Sequence, residues 1–415
     1  MKGHFYKPNC KCEKGKRCKC GAKWGFLMDV GINPKNGRRK QKFKGGFNTK
    51  KEAELAAAHF LAEIEAGQYV KEGNVTFEEF AYQWLDMYKA TGKVKISTIR
   101  VRNHEIKRLL DYFAKLKIKD VSRKKYQDAL NNLKERGFAE NTLDGAHRTG
   151  RMIFKKAAEM DLIKKDPTEF AYVPKTQKSV EELESEENLI KYLEKEELSR
   201  FLNTSKVQGL DQDDPIFTLL AYTGMRVGEL CALKWKDIDF EQQSISVTKT
   251  YYNPKNNILN YQLLPPKTKS AKRKIEIDSF VIKKLEKHQQ LQKKIKMKYR
   301  NRYHDKDFIF ALNDEKNPGY PLYLKKIENR MKRLLKLTNK GMDVGETKLN
   351  EGLTPHSLRH THTSLLAEAG VGLQEIMDRL GHKDDATTKN VYWHVTKPKK
   401  KEAAHKFSDL MRDLR

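Results

Sequence analysis

The sequence predicts a mainly α-helical fold with small antiparallel sheets, an α+β chain of several domains. Its 415 residues are too many for one compact core. Long segments with apolar residues at helical spacing begin at capping signals, whereas strand-like segments are short and separated by turn residues. We therefore expect an N-terminal sheet-plus-helix domain, a four-helix domain and a mixed, mainly helical C-terminal domain.

Residues 1–67 have the pattern of a small basic domain. Two short strands, KWGFLMDVGI and KQKFKGGF, flank the turn NPKNGRR, and a capping box of Thr49 and Glu52 opens a helix that ends at Gly67. The first 50 residues hold fifteen Lys or Arg against two acids, a net charge of +13 that predicts contact with a polyanion. Basic residues in and beside the hairpin are candidates for DNA contact: Lys23, Arg38, Arg39, Lys40 and Lys42.

Four cysteines cluster in CKCEKGKRCKC, as Cys10, Cys12, Cys18 and Cys20. Two close pairs joined by a short loop could bring four thiolates to a tetrahedral structural Zn²⁺, which would give this segment a core. The alternative is four solvated thiols in a lysine-rich tail, because C-x-C is a weaker zinc signature than C-x-x-C. Disulfides are the less favoured use in a reducing cytosol. Cys231 lies in an apolar run and is expected in a core.

Residues 75–172 have the pattern of a four-helix domain. A capping box of Thr76 and Glu79 opens a helix with apolar residues at helical spacing. Three further helical segments follow, the second ending at Gly137 and the third before Pro167. Their Lys and Arg lie mostly on polar faces, for which a solvated surface is the simplest explanation. Residues 175–190 are acidic and poor in apolar residues, which indicates a linker.

Residues 191–415 have long helical segments and one strand-rich stretch, which predicts an antiparallel sheet of two or three strands. The whole chain has 84 Lys or Arg against 55 Asp or Glu, a formal charge of +29. That excess favours a polyanionic partner, nucleic acid first and an anionic membrane second. The sequence has no apolar run of about eighteen residues and no apolar signal core, so we expect a soluble, intracellular protein.

Two motifs of the C-terminal domain place polar side chains three residues apart, on one helical face. The first is TGMRVGELCALKW, with Arg226 and Glu229, and the second is TPHSLRHTHTSLLAEAG, with His356 and Arg359. Taken singly, the first pair is most often a surface salt bridge, and the second a capping histidine beside a solvated arginine. The segment HTHTSLLAEAGVGLQEIMDRLGH also has the pattern of a helix-turn-helix, which would suit a non-catalytic DNA-binding regulator.

In combination the motifs suit chemistry on a phosphodiester. Transesterification develops negative charge on the non-bridging oxygens, which guanidinium and imidazole donors stabilise. The leaving 5′-oxygen needs a proton, which Lys267 of PKTKSAKR could supply, and Tyr392 could be the attacking group. A tyrosine, with an ordinary pKa of about 10, attacks well only where cations near the phosphate favour the phenolate. The donors would be Arg226, Arg359, His356 and His382.

With these motifs the sequence resembles the tyrosine recombinases, specifically the integrases of temperate phages and integrative conjugative elements. TGMRVGEL is similar to the first arginine motif of that family, PKTKSAKR to its lysine hairpin, HSLRHTHTSLL to its His-x-x-Arg motif and LGHKDDATTKNVYWH to its closing His-to-Tyr motif. They occur in the family's order and spacing. The resemblance covers 191–415 strongly, 75–172 as a core-binding domain, and 1–67 more loosely as an arm-binding domain.

The resemblance implies a role for each matching residue. Tyr392 would form a 3′-phosphotyrosine, and Lys267 would be the general acid, with Lys269, Lys272 and Lys274 as alternatives in the same hairpin. Glu229 would orient Arg226. Two arginines would clamp the scissile phosphate and two histidines would donate hydrogen bonds to it: Arg226, Arg359, His356 and His382.

The residues after the nucleophile are expected to have supporting roles. Trp393 is expected to be the core aromatic of this segment and His394 to pack near the tyrosine. The tail has Phe407, Leu410, Met411 and Leu414 at helical spacing, which would suit a helix on a neighbouring protomer or one packed on its own domain.

The resemblance further implies a reaction cycle and its partners. A homotetramer would pair two double-stranded DNA attachment sites and exchange strands through a Holliday junction, with no cofactor for catalysis. An excisionase and a host DNA-bending protein would assist, in the bacterial cytoplasm at the nucleoid. A type IB topoisomerase shares the nucleophile and the phosphate donors, but it needs no arm-binding domain.

Overall fold

The computed structural model describes residues 3–12, 20–32, 39–65, 75–176, 192–266, 271–341, 346–381 and 388–393. They form helices with small antiparallel sheets, which confirms the expected class. The chain divides into two compact units, Met1–Gln177 and Lys178–Arg415. The predicted linker 175–190 lies almost wholly outside the described residues, and so do residues 66–74 between the two predicted N-terminal domains. Among the described helices, none is both long and apolar enough to cross a membrane.

The N-terminal part of the first unit is a three-stranded antiparallel sheet with one helix. Strands β1 (Gly3–Tyr6), β2 (Trp24–Ile32) and β3 (Arg39–Phe47) pair in the order β1-β2-β3, and helix α1 (Lys50–Glu65) follows. The core between sheet and helix is small and consists of Phe26, Met28, Ala57 and Phe60. The hairpin and helix match the sequence prediction, whereas β1, a strand of four residues that pairs with β2, was not predicted.

The rest of the first unit is helical. It consists of α2 (Phe77–Ala90), α3 (Ile96–Phe113), α4 (Arg123–Glu135) and α5 (Glu140–Glu159). The predicted capping box is present, because the backbone N–H of Thr76 donates to Glu79 Oε2 over 2.9 Å and the backbone N–H of Glu79 donates to Thr76 Oγ1 over 3.2 Å. Apolar faces of all four helices form one core, which contains Phe77, Trp84, Leu109, Tyr126 and Phe154.

The second unit surrounds its own, larger core. Its helices are α6 (Lys195–Gln208), α7 (Asp213–Thr223), α8 (Val227–Leu230), α9 (Ser279–Tyr299), α10 (Leu324–Lys340), α11 (Pro355–Glu368) and α12 (Leu373–Leu380). A three-stranded antiparallel sheet has the order β4-β5-β8, and β6 pairs with β7 in a separate ladder. These strands are β4 (Ile238–Asp239), β5 (Ser244–Val247), β6 (Thr250–Tyr252), β7 (Gln262–Leu264) and β8 (Arg273–Glu276). The strand-rich stretch of the sequence begins with SISVTKTYYN, which forms both β5 and β6.

A buried ion pair fixes the start of α7, the helix that leads into the first arginine motif. Asp213 is fully buried, and Arg330 of α10 donates from Nη1 to its Oδ1 over 3.0 Å. Burial raises the pKa of Asp213 above its ordinary value, against the hydrogen bond from the Leu210 backbone and the charge of Arg330. The pair therefore ties α7 to α10 beneath the motif.

Gly150 allows α4 and α5 to pack closely, and this contact can be tested. A Cβ at Gly150 would lie 2.2 Å from the hydroxyl oxygen of Tyr126. We expect Gly150→Ala to destabilise the chain by about 1–3 kcal/mol, because the extra carbon overpacks a buried contact. In a Tyr126→Phe background, the nearest atom is a ring carbon at 3.0 Å, so the cost of Gly150→Ala should be smaller. Urea unfolding of the four proteins measures both costs, and equal costs would contradict the packing explanation.

Candidate active site

The first arginine motif is a tight turn between α7 and α8. The Thr223 hydroxyl donates to the Leu219 carbonyl over 2.6 Å and accepts from the Met225 backbone N–H over 3.3 Å. Gly224 has a φ of 60°, and a Cβ there would lie 2.6 Å from the His362 ring and 2.8 Å from Leu380. Glycine is required at this point for both reasons. The turn delivers Arg226 to the N-terminus of α8.

Glu229 is buried between two arginines. Its side chain is 6% exposed, Arg226 Nη1 donates to Oε1 over 3.0 Å, and Arg273 Nη2 donates to Oε2 over 2.9 Å. Burial would raise the pKa of Glu229, but the hydrogen bond and charge of Arg273, with the Arg226 contacts, outweigh burial and lower it below its ordinary value. Glu229 is therefore a carboxylate, and the surface salt-bridge explanation of this pair is wrong. The Arg226 side chain itself is 38% exposed.

Arg273 joins this site to α12, and sequence analysis did not identify it. Besides its bonds to Glu229, Arg273 donates from Nε to the Arg379 carbonyl over 2.8 Å. The signal was the alternation along β8: Lys272 and Lys274 are exposed, whereas Arg273 shares the inward face with Ile275. Sequence analysis considered the lysines of this hairpin as chemical groups and left the arginine out.

Arg359 lies on α11 and connects two parts of the site. It is 2% exposed, although it carries a charge. Its Nη1 donates to the Gly224 carbonyl and its Nη2 to the Leu380 carbonyl, each over 2.7 Å. Arg359 therefore holds the turn before Arg226 against the C-terminal end of α12. We call Arg226, Arg273, Arg359 and Glu229 the arginine network.

His356 lies in the first turn of α11, which begins at Pro355 as predicted. Its side chain is exposed, and its ring packs edge-on against the ring of His360 with centroids 4.9 Å apart. An exposed imidazole at this position is accessible to a substrate. His356 and Arg359 thus lie on the same helix, but the His356 side chain is exposed and the Arg359 side chain is buried.

A second pair, which sequence analysis missed, joins buried His362 of α11 to half-buried Arg379 of α12. His362 Nδ1 lies 2.9 Å from the Ala221 carbonyl, and Arg379 Nε lies 3.1 Å from His362 Nε2. The carbonyl can only accept, so Nδ1 carries the proton and Nε2 accepts from Arg379. Burial and the nearby Arg379 charge lower the pKa of His362 to about 4, so the ring is neutral. Its partner Arg379 lies 17 residues away, on α12.

Tyr392 lies in a helical segment, residues 388–393. It is half-buried and packs against a small cluster of apolar residues of α11 and α12, among them Ala367, Ile376 and Leu380. Trp393 is 49% exposed, so the expectation that Trp393 is the core aromatic is wrong. Successive helical residues differ by about 100° in direction, and it is Tyr392 that packs against the cluster.

Several predicted residues lie outside the described residues: Lys267, Lys269, His382, His394, Arg38, Cys18 and the tail with Phe407, Leu410, Met411 and Leu414. Two flanking positions are informative. Lys267 follows β7 by three residues, since β7 ends at Leu264, and His382 comes next after Gly381, the C-cap of α12.

The candidate DNA contacts of the N-terminal sheet are partly described. Lys23 is exposed, and the Arg39 side chain is 83% exposed, 3.9 Å from Asp29. Lys40 is a residue of β3. Lys42 lies opposite Met28 in the β2–β3 pair, and its ammonium lies 5.8 Å from the centre of the Phe60 ring. Their role in DNA binding stays a prediction.

The helix-turn-helix pattern corresponds to α11 and α12, and their environment argues against a reading role. Most of α11 is buried, including Leu358, Thr361 and Ser364. The buried face of α12 consists of Ile376, Met377 and Leu380. A recognition helix must expose the side chains that reach the bases. α11 forms part of the core, and the exposed face of α12 carries Glu375 and Asp378, whose carboxylates would be repelled by the phosphates of DNA.

Arg273 has a matched control in Lys272, its exposed neighbour. We expect Arg273→Met to lower the free energy of unfolding by about 3–5 kcal/mol, because it leaves a buried carboxylate with one partner fewer. Lys272→Met should change it by less than about 0.5 kcal/mol. Urea unfolding of the full chain measures both. Similar effects of the two substitutions would show that Glu229 does not depend on Arg273.

The His362–Arg379 pair predicts a loss of stability in acid. An unfolded histidine has a pKa of about 6.5, and His362 has a pKa of about 4 in the fold. A lowered histidine pKa contributes full stability above about pH 6.5, and this contribution of about 3 kcal/mol is lost as the pH falls to about 4. His362→Asn keeps a donor for the Ala221 carbonyl but does not titrate, so its unfolding should depend less on pH. His288 is also buried and has a lowered pKa, but it titrates in both proteins, so its contribution cancels when the two pH profiles are compared. Identical pH profiles would contradict this assignment.

Comparison with known proteins gives the same assignment for three segments of the chain. The phage integrase family matches residues 191–399, the Arm DNA-binding domain matches 14–64, and the N-terminal SAM-like domain of phage integrases matches 76–134. The integrase of Staphylococcus phage L54a is 29% identical over 357 residues, which cover 81% of this chain and 94% of that protein. The ICEBs1 integrase of Bacillus subtilis is 26% identical over 397 residues, 93% of this chain and 97% of that protein.

A solved structure is similar as well. The Tn1549 transposon integrase in complex with transposon right end DNA has a TM-score of 0.61 at 25% identity, covering 80% of this chain and 100% of that one. The family match alone spans about half of the chain and includes the arginine network and Tyr392. The chain belongs to the phage integrase family, and it is a tyrosine site-specific recombinase.

Proposed function

We propose that this recombinase integrates and excises a mobile genetic element by cutting and rejoining DNA strands through a 3′-phosphotyrosine intermediate. The observation that carries the proposal is the arginine network, in which a buried carboxylate orients Arg226 and a buried Arg359 holds the same turn. Two guanidinium groups, those of Arg273 and Arg359, are buried beside this turn and a third, that of Arg226, is partly exposed, although each desolvated charge is costly without a matching partner. An anionic substrate is the natural ligand for such a concentration of positive charge.

Arg226 is the first proposed phosphate ligand. Glu229 holds one side of its guanidinium, and the 38% exposure of the side chain leaves room for a substrate. A guanidinium fixed by a carboxylate presents its remaining donors in a defined plane, which suits the two non-bridging oxygens of a phosphate. Because the donors are positioned before the substrate arrives, they stabilise the charge of the transition state without reorganisation.

Arg359 is the second proposed phosphate ligand. Its two terminal nitrogens donate to the carbonyls of Gly224 and Leu380. The guanidinium has five N–H donors, of which these two carbonyls use two, so a phosphate can be bound without displacing either carbonyl. The side chain proposed to bind the phosphate thus also holds the C-terminal end of α12, and His382 follows that end in the sequence.

The remaining roles complete the reaction. Tyr392 loses its hydroxyl proton to solvent as its oxygen attacks the phosphorus, a new P–O bond forms, and the bond to the 5′-oxygen breaks. The leaving 5′-oxygen takes a proton from Lys267, while His356 and His382 donate hydrogen bonds to the phosphate. The phosphotyrosine ester conserves the energy of the broken diester, so the 5′-hydroxyl of a partner strand can reverse the step. Rejoining then needs no ATP and no cofactor.

The proposed assembly is a homotetramer on two double-stranded attachment sites, acting through a Holliday junction. The formal charge of +29 supports an extended DNA contact, because each phosphate neutralised releases counterions. The N-terminal domain would bind arm-type DNA and the four-helix domain core-type DNA. An excisionase and a host DNA-bending protein would control direction, and the reaction would occur in the bacterial cytoplasm at the nucleoid. A non-catalytic regulator and a type IB topoisomerase are less favoured, because neither needs both the arginine network and an arm-binding domain.

The proposed nucleophile can be tested by trapping. The full chain is incubated with a nicked attachment-site duplex, from which the cleaved fragment diffuses away, and covalent complexes are detected on a denaturing gel. We expect a protein–DNA band that Tyr392→Phe abolishes, because the variant lacks the attacking oxygen. Tyr392→Phe should still shift DNA on a native gel.

Tyr222→Phe is the matched control. Tyr222 is an exposed tyrosine of the same unit, outside the arginine network, and its removal should leave the covalent band intact. A band that survives Tyr392→Phe would refute the nucleophile assignment. DNA binding by the wild-type chain with no covalent band on any attachment-site duplex would favour a regulator instead.

A further inference from the structure

Three cysteine thiols converge in the N-terminal part of the chain, apart from the active-site chemistry. The sulfur atoms of Cys10, Cys12 and Cys20 all lie within 4.8 Å of one another. The closest pair, Cys10 and Cys20, has its sulfurs 3.5 Å apart. Among the described residues, these three form the one group of His, Cys, Asp or Glu side chains whose ligand atoms meet in this way.

The spacing of the sulfurs matches a tetrahedral metal site. In such a site each Zn–S bond is about 2.3 Å, which places neighbouring sulfurs about 3.8 Å apart. The observed 3.5 Å is near this value and is well beyond the roughly 2.05 Å of a disulfide bond. A disulfide would also use two of the three sulfurs and leave the third without a function in the cluster.

The thiols lie at both ends of the loop between β1 and β2. Cys10 follows a turn in which its N–H donates to the Lys7 carbonyl over 3.2 Å, and Cys20 precedes β2 by a few residues. The Lys7 ammonium lies 5.3 Å from the centre of the Trp24 ring, so the loop returns to the start of β2. A metal bound here would close the loop and hold β1 against β2.

The hydrophobic core of this domain is small, so closing the loop with a metal would add stability that the core does not supply. Only four residues form the buried cluster between the described sheet and α1, and a domain of this size gains little stability from its core alone. Natural domains of similar size often add a structural metal, whose binding free energy contributes directly to folding.

We propose that Cys10, Cys12 and Cys20 bind one structural Zn²⁺ that stabilises the three-stranded sheet. The proposal rests on these three thiols. Cys18 of the same motif lies outside the described residues, and its part as the fourth ligand stays a prediction. The site is independent of the proposed recombinase function, since it lies in the other compact unit from Tyr392.

Metal analysis of the full-length protein tests the proposal. We expect about one equivalent of zinc per chain after purification under reducing conditions without chelator. Cys10→Ser, Cys12→Ser and Cys20→Ser should each reduce it below half an equivalent. Cys231→Ala, which removes a buried thiol of the other unit, should leave the zinc content unchanged. Less than half an equivalent in the wild-type protein, with no uptake from added Zn²⁺, would overturn the proposal.

Cobalt substitution keeps the test decisive if a serine variant fails to fold. Co²⁺ added to metal-free wild-type protein should give the intense visible bands of a tetrahedral site with thiolate charge transfer, and added Zn²⁺ should abolish them. Cys12→His, which preserves a zinc ligand, should restore binding that Cys12→Ser loses. A cobalt spectrum without thiolate bands would overturn the proposal. So would a count of three thiols instead of five in the denatured protein, which would indicate a disulfide.

Discussion

The catalytic unit depends on one buried carboxylate. Glu229 is nearly inaccessible to water, and a charge in that position is stable only if cations and hydrogen-bond donors surround it. Arg226 and Arg273 supply both, one from the N-terminus of α8 and the other from β8. Because the Glu229 carboxylate must be paired with both arginines, α8 and β8 have to meet beside it. The same need fixes the guanidinium group that we propose for the phosphate.

The contacts around Glu229 extend to the rest of the site through backbone carbonyls. Arg273 and Arg359 donate to the carbonyls of Arg379 and Leu380, the last residues of α12. Unsatisfied carbonyls at a helix C-terminus are the natural acceptors for cations. Positive charge thus serves two purposes in this unit. Buried arginines hold elements of the fold together, and exposed basic side chains remain accessible to DNA.

The sequence predicted the parts of the structure that depend on local chemistry. The capping box of Thr76 and Glu79 and the pairing of Arg226 with Glu229 follow from a spacing of three residues, which is fixed within a helical turn. Arg273 and Arg379 could not be predicted in this way, because their partners are 44 and 17 residues distant and meet them only in the folded unit. β1 has only four residues, too few to show an alternating pattern, and its pairing with β2 appears only in the folded domain. The expectation that Trp393 is the core aromatic was wrong, because the sequence does not show which of two adjacent aromatic residues faces the core until the helix has packed.

The contact between Arg359 and Gly224 spans 135 residues, and that with Leu380 a further 21. A ribosome makes these residues in order, so Arg226 leaves it long before the carbonyl of Leu380 exists. A nascent or truncated chain that ends before α12 carries all three arginines of the arginine network but lacks the carbonyls of Arg379 and Leu380 that position two of them. Arg359 thus acquires its full set of contacts only after α12 has been made, so this part of the site cannot assemble on a chain that stops before that helix.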